Sequence, residues 1–303
     1  MSTLAVVVLN WNGLDDTRTL LPTLAACRVP PGWRLETIVV DNGSTDGSAT
    51  ALAAEFPAVT LLALAENQRF AGGNNHGIRH ALAAGADAVM LLNNDTRADP
   101  GLVEWLLLAL EQDPAAAAAA PLIYYGAPSQ RIWYAGGVLR PALGWVAHRG
   151  VRALDRGQYR AVEPTGYLTG CCLVARRAAW EQVGLLDERY FIYAEDADWC
   201  LRARARGHRL LFVPTARLWH TVSAASGAAS PWKIYHRLRA NLRLFSTHAR
   251  GVARLTWLPA FAAWQLALMA WLLARGHGAA ALAVPRALRD ALAGKPAGEA
   301  RIA

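Results

Sequence analysis

Short apolar runs alternate with helical stretches through the first third of the chain, and this alternation limits the possible folds more than any other feature. Near-continuous apolar strands separated by helices are typical of βαβ units, in which helices cover both faces of a mostly parallel sheet. We therefore predict an α/β fold. The strand-like runs are Leu4 to Leu9, Glu36 to Val40, Val59 to Leu64 and Ala88 to Leu92, and the helical stretches are Asp15 to Ala26, Thr45 to Glu55 and Gly73 to Ala84.

Polar residues follow all four predicted strands. Asparagine or aspartate stands directly after each run, or a few residues beyond it. Turn chemistry explains one or two such positions, since Asn and Asp favour tight turns, but it does not explain four in succession. Because ligands bind at the carboxyl ends of the strands in such sheets, the four loops predict one polar crevice. The residues concerned are Asn10, Asn12, Asp41, Asn67, Asn94 and Asp95.

Length and composition limit the class of protein. The 303 residues, 54% of them apolar and 18% charged, suffice for one large globular domain with a C-terminal extension. The net charge of +8 is almost wholly arginine, which suits phosphates, carboxylates and anionic lipid. No basic run is interleaved with aromatic residues, so a nucleic-acid partner is not expected.

The cysteines and the N-terminus favour a cytosolic protein. The four cysteines have no C-x-x-C spacing and lie in apolar or helical surroundings, so we expect reduced core residues. No basic segment with a cleavage site precedes the first strand, so no signal peptide is expected.

Two groups of acids have the composition of a catalytic site. Asp95 ends an apolar strand, where a carboxylate could hold a divalent metal that stabilises a departing diphosphate. Glu195, Asp196 and Asp198 cluster at a predicted helix start. One acid there could simply offset the helix macrodipole, but three beside an aromatic run favour a general base.

The motifs of the chain resemble, in order, those of the inverting family 2 glycosyltransferases with the GT-A fold, most closely the rhamnosyltransferase-like branch. The resemblance covers about 4–223 and implies a mostly parallel central sheet covered by helices on both faces, with a C-terminal helical extension. It also implies a nucleotide-sugar transferase domain over 1–223, with a donor half of about 1–120 and an acceptor half of about 121–223, followed by a helical extension over 224–303. The motifs are VVVLNWNG, VVDNGSTDGS, ENQRFAGGNN, LLNNDT, TGCCLVARR, YFIYAEDADWCLR and WH.

The resemblance assigns expected roles to individual residues. Asp95 with His220 would hold Mn²⁺ or Mg²⁺, although only the last acid of the family's Asp-x-Asp-like motif is present. Asp196 would be the general base, with Glu195 and Asp198 positioning the acceptor or the base. The residues expected at the nucleotide-diphosphate sugar are Asn10, Asn12, Asp41, Asn67, Gly73, Asn74 and Asn94.

One residue departs from the family pattern. Arg69 stands where the family commonly has glycine. If that glycine has a positive φ, Arg69 implies either a changed loop or a new phosphate contact.

The motifs that are missing also discriminate. The chain has no Gln-x-x-Arg-Trp motif and only one candidate membrane segment, which favours transfer of a single sugar over processive synthesis. The alternatives are a nucleotidyltransferase, which would carry a Gly-rich basic loop after the first strand, and a non-catalytic nucleotide- or glycan-binding protein.

The C-terminal part changes character. Leu255 to Ala274 has no charged residue and is long enough to span a membrane, while its tryptophans equally suit a helix at the interface. An interfacial helix is favoured, and a spanning or a packed helix are the alternatives. The basic amphipathic stretch Val284 to Leu292 supports attachment to anionic lipid. We therefore expect a cytoplasmic enzyme at the inner face of the cell membrane, with a glycan or lipid-linked acceptor.

Overall fold

A computed structural model describes residues 1–221 and 229–297 of the chain. The predicted boundary between 223 and 224 lies outside the described residues, so the division of the chain there stays a prediction. The strands are β1 (Ser2–Asn10), β2 (Trp33–Asp41), β3 (Thr60–Ala63), β4 (Ala88–Asn93), β5 (Thr96–Ala98), β6 (Ala116–Tyr125), β7 (Ile132–Tyr134), β8 (Gly137–Arg140), β9 (Trp145–His148), β10 (Glu163–Pro164), β11 (Cys172–Arg176) and β12 (Arg209–His220). The helices are α1 (Leu14–Ala25), α2 (Ser48–Glu55), α3 (Arg69–Ala83), α4 (Leu102–Gln112), α5 (Arg177–Val183), α6 (Glu195–Ala205), α7 (Pro231–His248), α8 (Ala253–Ala274) and α9 (Gly278–Leu292), with one 3₁₀ turn at Pro141–Leu143.

One mixed sheet organises the chain, with the strand order β10-β12-β6-β11-β4-β1-β2-β3. β1 pairs in parallel with both β2 and β4, and β3 extends the parallel part beyond β2. β11 is antiparallel to both of its neighbours, β4 and β6, so the middle of the sheet contains antiparallel pairs. The central strands are fully buried because Val and Leu on both of their faces meet helices, as parallel strands require. The α/β prediction is confirmed.

The register of the parallel strands places their polar ends side by side. Asn10 is opposite Asp41 in the β1–β2 pair, and Leu9 is opposite Asn93 in the β1–β4 pair. The polar residues that end β4, β1 and β2, three neighbouring strands of the sheet, therefore meet at one edge of the sheet.

Two compact units contain the described residues. The first comprises 1–138, 148–187 and 196–221 and holds the large sheet. The second comprises 139–147, 188–195 and 229–297, and its helices are α7, α8 and α9. The second unit thus includes two short segments that the sequence-based division assigned to the transferase domain.

Candidate active site

The loops after β1 and β2 are fixed to each other by buried side chains. The Asn10 amide donates to Asp41 Oδ1 at 2.8 Å, and Asp41 Oδ2 accepts from the Ser44 backbone N–H at 3.1 Å. Asn12, with φ of +48°, accepts from the Thr45 N–H at 2.8 Å. Asn10 is fully buried and Asp41 nearly so. In this structure all three side chains form hydrogen bonds that shape the loops, and their expected position beside the nucleotide stays a prediction.

Asn94 belongs to the same network. Its amide lies 3.1 Å from Thr17 Oγ1 and 3.3 Å from both Asn10 Oδ1 and the Gly13 carbonyl. Thr17, in the first turns of α1, also donates to Asn10 Oδ1 at 2.8 Å. Asn94 therefore holds the start of α1 against the end of β4, which places it beside the predicted metal residue.

The start of α3 is held by a pair of asparagines. Asn42 accepts from the Gln68 N–H at 2.8 Å and donates to the Arg69 carbonyl at 3.1 Å. Asn67 Oδ1 accepts from the Asn42 amide and, at 2.7 Å, from the Arg69 N–H. These bonds fix the backbone regardless of the side chain at position 69. Arg69 accordingly keeps a positive φ of +62°, so the loop has the conformation that glycine would adopt without strain.

Arg69→Gly should therefore stabilise the protein, by about 0.5–1 kcal/mol, because the left-handed conformation costs a non-glycine residue more than it costs glycine. The matched control is Arg79→Gly, ten residues further along the same helix and also exposed. There the backbone is ordinary helix, so glycine should destabilise by roughly 1 kcal/mol. Urea unfolding of both variants measures whether each change raises or lowers the free energy of unfolding. A loss of stability in Arg69→Gly would show that the guanidinium, rather than the backbone, dominates at this position.

The first turns of α3 pack closely against the sheet. A Cβ built on Gly73 would lie 2.4 Å from Leu9 Cδ1 and 3.1 Å from the Asn42 amide nitrogen, so a larger residue there would displace these side chains. Asn74 is buried and donates to the Phe70 carbonyl at 2.9 Å. Asn75, which the sequence had not singled out, exchanges two hydrogen bonds with the backbone of Leu186. The ENQRFAGGNN motif therefore builds the wall of the crevice, with its asparagines oriented by backbone groups.

Asp95 and His220 form the next part of the site. The three-residue strand β5 pairs with the end of β12, with Thr96 opposite His220. This pairing brings His220 Nε2 within 3.1 Å of Asp95 Oδ1. The imidazole is buried and packs edge-on against Trp133, with ring centroids 4.6 Å apart. Its Nδ1 is buried without a hydrogen-bond partner among the residues the structure describes. The expected pairing of these two residues is thus present in the structure.

The donor set suits a divalent cation that is also held by substrate. Asp95 supplies a carboxylate that is about one-quarter exposed, and His220 supplies an imidazole nitrogen beside it. Within 1–221 and 229–297, no group of three or more His, Cys, Asp or Glu residues is arranged around one metal position. Two protein ligands leave most coordination positions for diphosphate oxygens and water, as is usual for Mg²⁺ at phosphate substrates. The residues therefore fit a metal bound together with its nucleotide.

Asp16 adds negative charge at the same place. It lies in the first turn of α1, and its pKa is raised by partial burial and then by the charges of Asp95 and Asp15. Sequence inspection missed Asp16 because an exposed acid in a first helical turn has a simple explanation in the macrodipole. Its carboxylate increases the attraction of this end of the crevice for a cation.

Asp196 is held by backbone groups. Its Oδ2 accepts from the Gly170 N–H at 2.8 Å, and its Oδ1 accepts from the Ala197 N–H at 2.7 Å. Burial raises the pKa of the carboxyl, and these hydrogen bonds oppose the rise in part. A carboxylate with a raised pKa and a fixed orientation has the properties of a general base.

The buried thiol of Cys171 lies close to both Asp95 and Asp196. Its pKa is raised well above the ordinary value, chiefly by burial and then by the charges of Asp95, Cys172 and Asp196. The Cys171 carbonyl accepts from the Asn93 N–H at 2.9 Å, which attaches this turn to the end of β4. The metal-binding candidate and the base candidate are therefore close enough for both charges to act on one side chain.

Asp198 forms a buried ion pair. It is 2% exposed, and its Oδ2 accepts from Arg202 Nε at 2.8 Å. Arg202 also donates to the carbonyls of Val183 and Leu185, each at 2.7 Å. Asp198 therefore neutralises an arginine that joins α6 to the end of α5. The role expected from the sequence, which is to position the acceptor or the base, stays a prediction beside this ion pair.

Asp198→Asn should consequently lower stability by roughly 3 kcal/mol, because it leaves Arg202 largely buried without its counter-ion. The control is Glu181→Gln, which breaks the same i,i+4 type of pair with Arg177 on the surface, where Glu181 is 55% exposed. That change should cost less than about 0.5 kcal/mol. Chemical denaturation compares the two, and kcat of the folded Asp198→Asn enzyme should stay near that of the parent. Unchanged stability together with a raised acceptor KM would instead support the role in positioning the acceptor that the sequence predicts for Asp198.

Glu195 begins α6 and is buried. The two residues before it, Tyr193 and Ala194, have positive φ values of +70° and +66°. Two successive non-glycine residues in this conformation are costly, and such strain is concentrated at functional sites. The segment that leads into the acidic motif therefore has a specified, unusual backbone.

Solved structures identify the fold. The mannosyltransferase PcManGT from Pyrobaculum calidifontis, solved with GDP-Man and Mn²⁺, has a TM-score of 0.59 at 17% identity, over 95% of this chain and 86% of that one. GalNAc-T7, solved with UDP, GalNAc and Mn²⁺, has a TM-score of 0.64 at 16% identity, over 83% of this chain. The alignment spans about half of GalNAc-T7, at 49%. The chain has the GT-A fold of glycosyltransferases, as predicted.

Sequence comparison identifies the family. Residues 6–184 match the model of Glycosyl transferase family 2, so the chain belongs to this family and is an enzyme of the glycosyltransferase class. An N-acetylglucosaminyl-diphospho-decaprenol L-rhamnosyltransferase of Mycobacterium tuberculosis is 30% identical over 241 residues, 74% of this chain and 78% of that protein. The dTDP-rhamnosyl transferase RfbF of Shigella flexneri is 23% identical over 210 residues, 67% of this chain and 68% of that protein.

Proposed function

We propose that this enzyme transfers one sugar from a nucleotide-diphosphate sugar to a hydroxyl of a lipid-linked or cell-surface glycan, with inversion at the anomeric carbon. The observation that carries the proposal is that one turn bonds to both parts of the site: the Gly170 N–H donates to Asp196, and the Cys171 carbonyl accepts from Asn93, two residues before the Asp95 that pairs with His220. A cation site for a leaving diphosphate and a base for an incoming hydroxyl are the two functions that a single displacement requires.

The residues divide between the two partners of the reaction. Asp95 and His220 would hold Mn²⁺ or Mg²⁺, which stabilises the negative charge of the departing diphosphate when it is bound. The Asn10–Asp41 loops and the start of α3 shape the crevice for the nucleotide. Asp196, oriented by two backbone N–H groups, accepts the proton of the acceptor hydroxyl as that oxygen attacks. Since the acceptor oxygen bonds to the anomeric carbon in one displacement, on the side opposite the bond to the diphosphate that breaks, the anomeric configuration inverts.

The sugar proposed is rhamnose, donated by dTDP-rhamnose. Two relatives support this choice, since one is named as an L-rhamnosyltransferase and the other as a dTDP-rhamnosyl transferase. The first is named for a diphospho-decaprenol acceptor, which supports a lipid-linked acceptor and a place of action at the cytoplasmic face of the membrane.

A panel of nucleotide sugars tested by thermal shift, with and without Mn²⁺, is the direct experiment. We expect dTDP-rhamnose with Mn²⁺ to raise Tm more than UDP- or GDP-sugars, and EDTA to abolish the difference. Product anomers assigned by NMR then test inversion. Stabilisation by another nucleotide sugar would replace the donor, whereas retention of configuration would overturn the mechanism.

A further inference from the structure

The net positive charge of the chain comes from its C-terminal part, because acidic and basic residues balance in the rest. The first 230 residues contain 20 Lys and Arg against 21 Asp and Glu, whereas residues 231–303 contain 11 against 2. The whole net charge of +8 therefore comes from the part of the sequence that contains α7, α8 and α9. Such a charge distribution favours an anionic partner for this unit and not for the chain as a whole.

Helix α8 exposes an apolar face along its full length. It is the helix, among the residues described, that is long and apolar enough to cross a membrane, yet only 17% of its most apolar window is buried. From Leu255 to Leu273 the exposed face carries no charged side chain, and an apolar helix surface of this kind is normally buried in protein or lipid. The most exposed of its large apolar side chains are Leu255, Leu258, Leu266 and Leu273, which are 80, 53, 61 and 57% exposed.

The opposite face of α8 contacts its own unit near its start, in its middle and near its end. Near its start, Thr256 donates to the Ala142 carbonyl at 2.9 Å, and Phe261 contacts the turn at Gly144. The rings of Trp264 and Trp145 lie 4.9 Å apart, in the middle of the helix. Near its end, Leu272 is fully buried. The helix is therefore fixed lengthwise on neighbouring polypeptide.

These contacts distinguish a helix lying in a membrane from one crossing it. The 22 residues of α8 would span about 33 Å, which is sufficient for a crossing. If α8 crossed the membrane, the segments packed against it would also have to enter the hydrocarbon core of the bilayer. α9 carries Arg286, Arg289 and the buried Asp290, which accepts from Tyr235 of α7. Charges at that depth are costly, so the contacts favour a helix that lies parallel to the membrane plane.

We propose that the unit of α7, α8 and α9 docks on an anionic lipid surface, with the exposed face of α8 inserted into one leaflet and its flanking arginines at the headgroups. Arg254 and Arg275 stand at the two ends of the uncharged stretch, and Arg275 lies 5.1 Å from the ring of Trp271. Tryptophan and arginine at the ends of an apolar segment suit the interface. The inference extends the proposed place of action, but it concerns lipid binding and requires no transfer activity.

Vesicle flotation of the full chain tests the surface. We expect binding to vesicles of phosphatidylglycerol and phosphatidylcholine, weaker binding to phosphatidylcholine alone, and a decrease with salt. Leu258→Glu with Leu266→Glu should lower binding at least tenfold. The control, Leu154→Glu with Val162→Glu, makes the same change at two positions of the first unit that are each 47% exposed, and should bind normally. Arg254→Gln with Arg275→Gln should lower binding about fivefold per arginine, whereas Arg156→Gln with Arg206→Gln should not.

Cysteine labelling tests the orientation. Val252→Cys and His277→Cys place exposed thiols at the two ends of α8, while the four natural cysteines are buried. In inverted inner-membrane vesicles, a membrane-impermeant maleimide should label both positions, because both ends lie on the cytoplasmic side. Labelling of Val252→Cys alone would show a crossing and would overturn the in-plane arrangement.

The alternative to lipid is that a second copy of the chain covers the exposed face of α8. Light scattering in the absence of lipid shows whether the chain forms such a dimer. A stable dimer that Leu258→Glu with Leu266→Glu dissociates, together with no vesicle binding by the parent, would overturn the proposal. An active enzyme that binds to no vesicle would also overturn the lipid-docking proposal, while leaving the proposed chemistry intact. Vesicle binding by an enzyme without transfer activity would support lipid docking and overturn the proposed chemistry.

Discussion

Asp95→Asn should lower the rate of sugar transfer at least about a thousandfold, which corresponds to roughly 4 kcal/mol of lost transition-state stabilisation. The amide keeps the volume of the side chain but removes the charge that faces His220 Nε2 at 3.1 Å. Among the described residues, no group of three or more His, Cys, Asp or Glu residues surrounds one metal position, so the change removes one of the two protein ligands proposed for the metal. Steady-state kinetics with Mn²⁺ titrated into the parent and the variant measures the effect.

The matched control is Asp15→Asn, which removes one charge from the same end of the crevice. Asp15 is 97% exposed and pairs at 3.3 Å only with a surface arginine among the contacts described, so kcat should change little. Circular dichroism and urea unfolding should show both variants folded. Turnover by Asp95→Asn near that of the parent, at every concentration of Mn²⁺, would exclude Asp95 as a metal ligand.

The parallel part of the fold could be predicted because its signals are local. Each of the first four strands is a short apolar run closed by a polar turn, and the structure changes the bounds of those runs by few residues, lengthening three of them and shortening the third. β6 could not be predicted in the same way. It contains five consecutive alanines, which have no preference for strands, and they form a strand only because β11 and β12 pair with it on either side. Long-range pairing decides that segment.

The candidate site shows the same division between local and distant information. The polar strand ends predicted that Asn10 and Asp41 would be neighbours, and the β1–β2 register brings them together. The sequence did not show that the side chains of Asn10 and Asp41 would hydrogen-bond to each other. The partner of His220 depends on β5, a strand of three residues that carries no sequence signal of its own. Asp198 did carry a signal, since Arg202 follows it at the i,i+4 spacing of a helical ion pair.

Asp196→Asn should reduce kcat by about 10²–10⁴ while nucleotide-sugar binding is retained. The reason is that a base acts in the transition state, so its loss appears in kcat more than in donor affinity. Asparagine keeps the volume, and its single oxygen can still accept one of the two backbone N–H groups that hold Asp196. Thermal shift with the donor measures binding, and initial rates measure transfer.

The pH profile separates this role from a structural one. Burial raises the pKa of Asp196, and a base must be ionised to accept a proton, so kcat of the parent should fall on acidification at a higher pH than for an ordinary aspartate. Asp196→Asn should lack this acidic limb, whereas Asp198→Asn should keep it, because Asp198 is buried in its pair with Arg202. If Asp196→Asn were merely misfolded, its donor-dependent rise in Tm would be lost along with kcat. A near-normal kcat in Asp196→Asn would exclude Asp196, and the remaining acid of the motif outside the ion pair, Glu195, would then be the residue to test as the base.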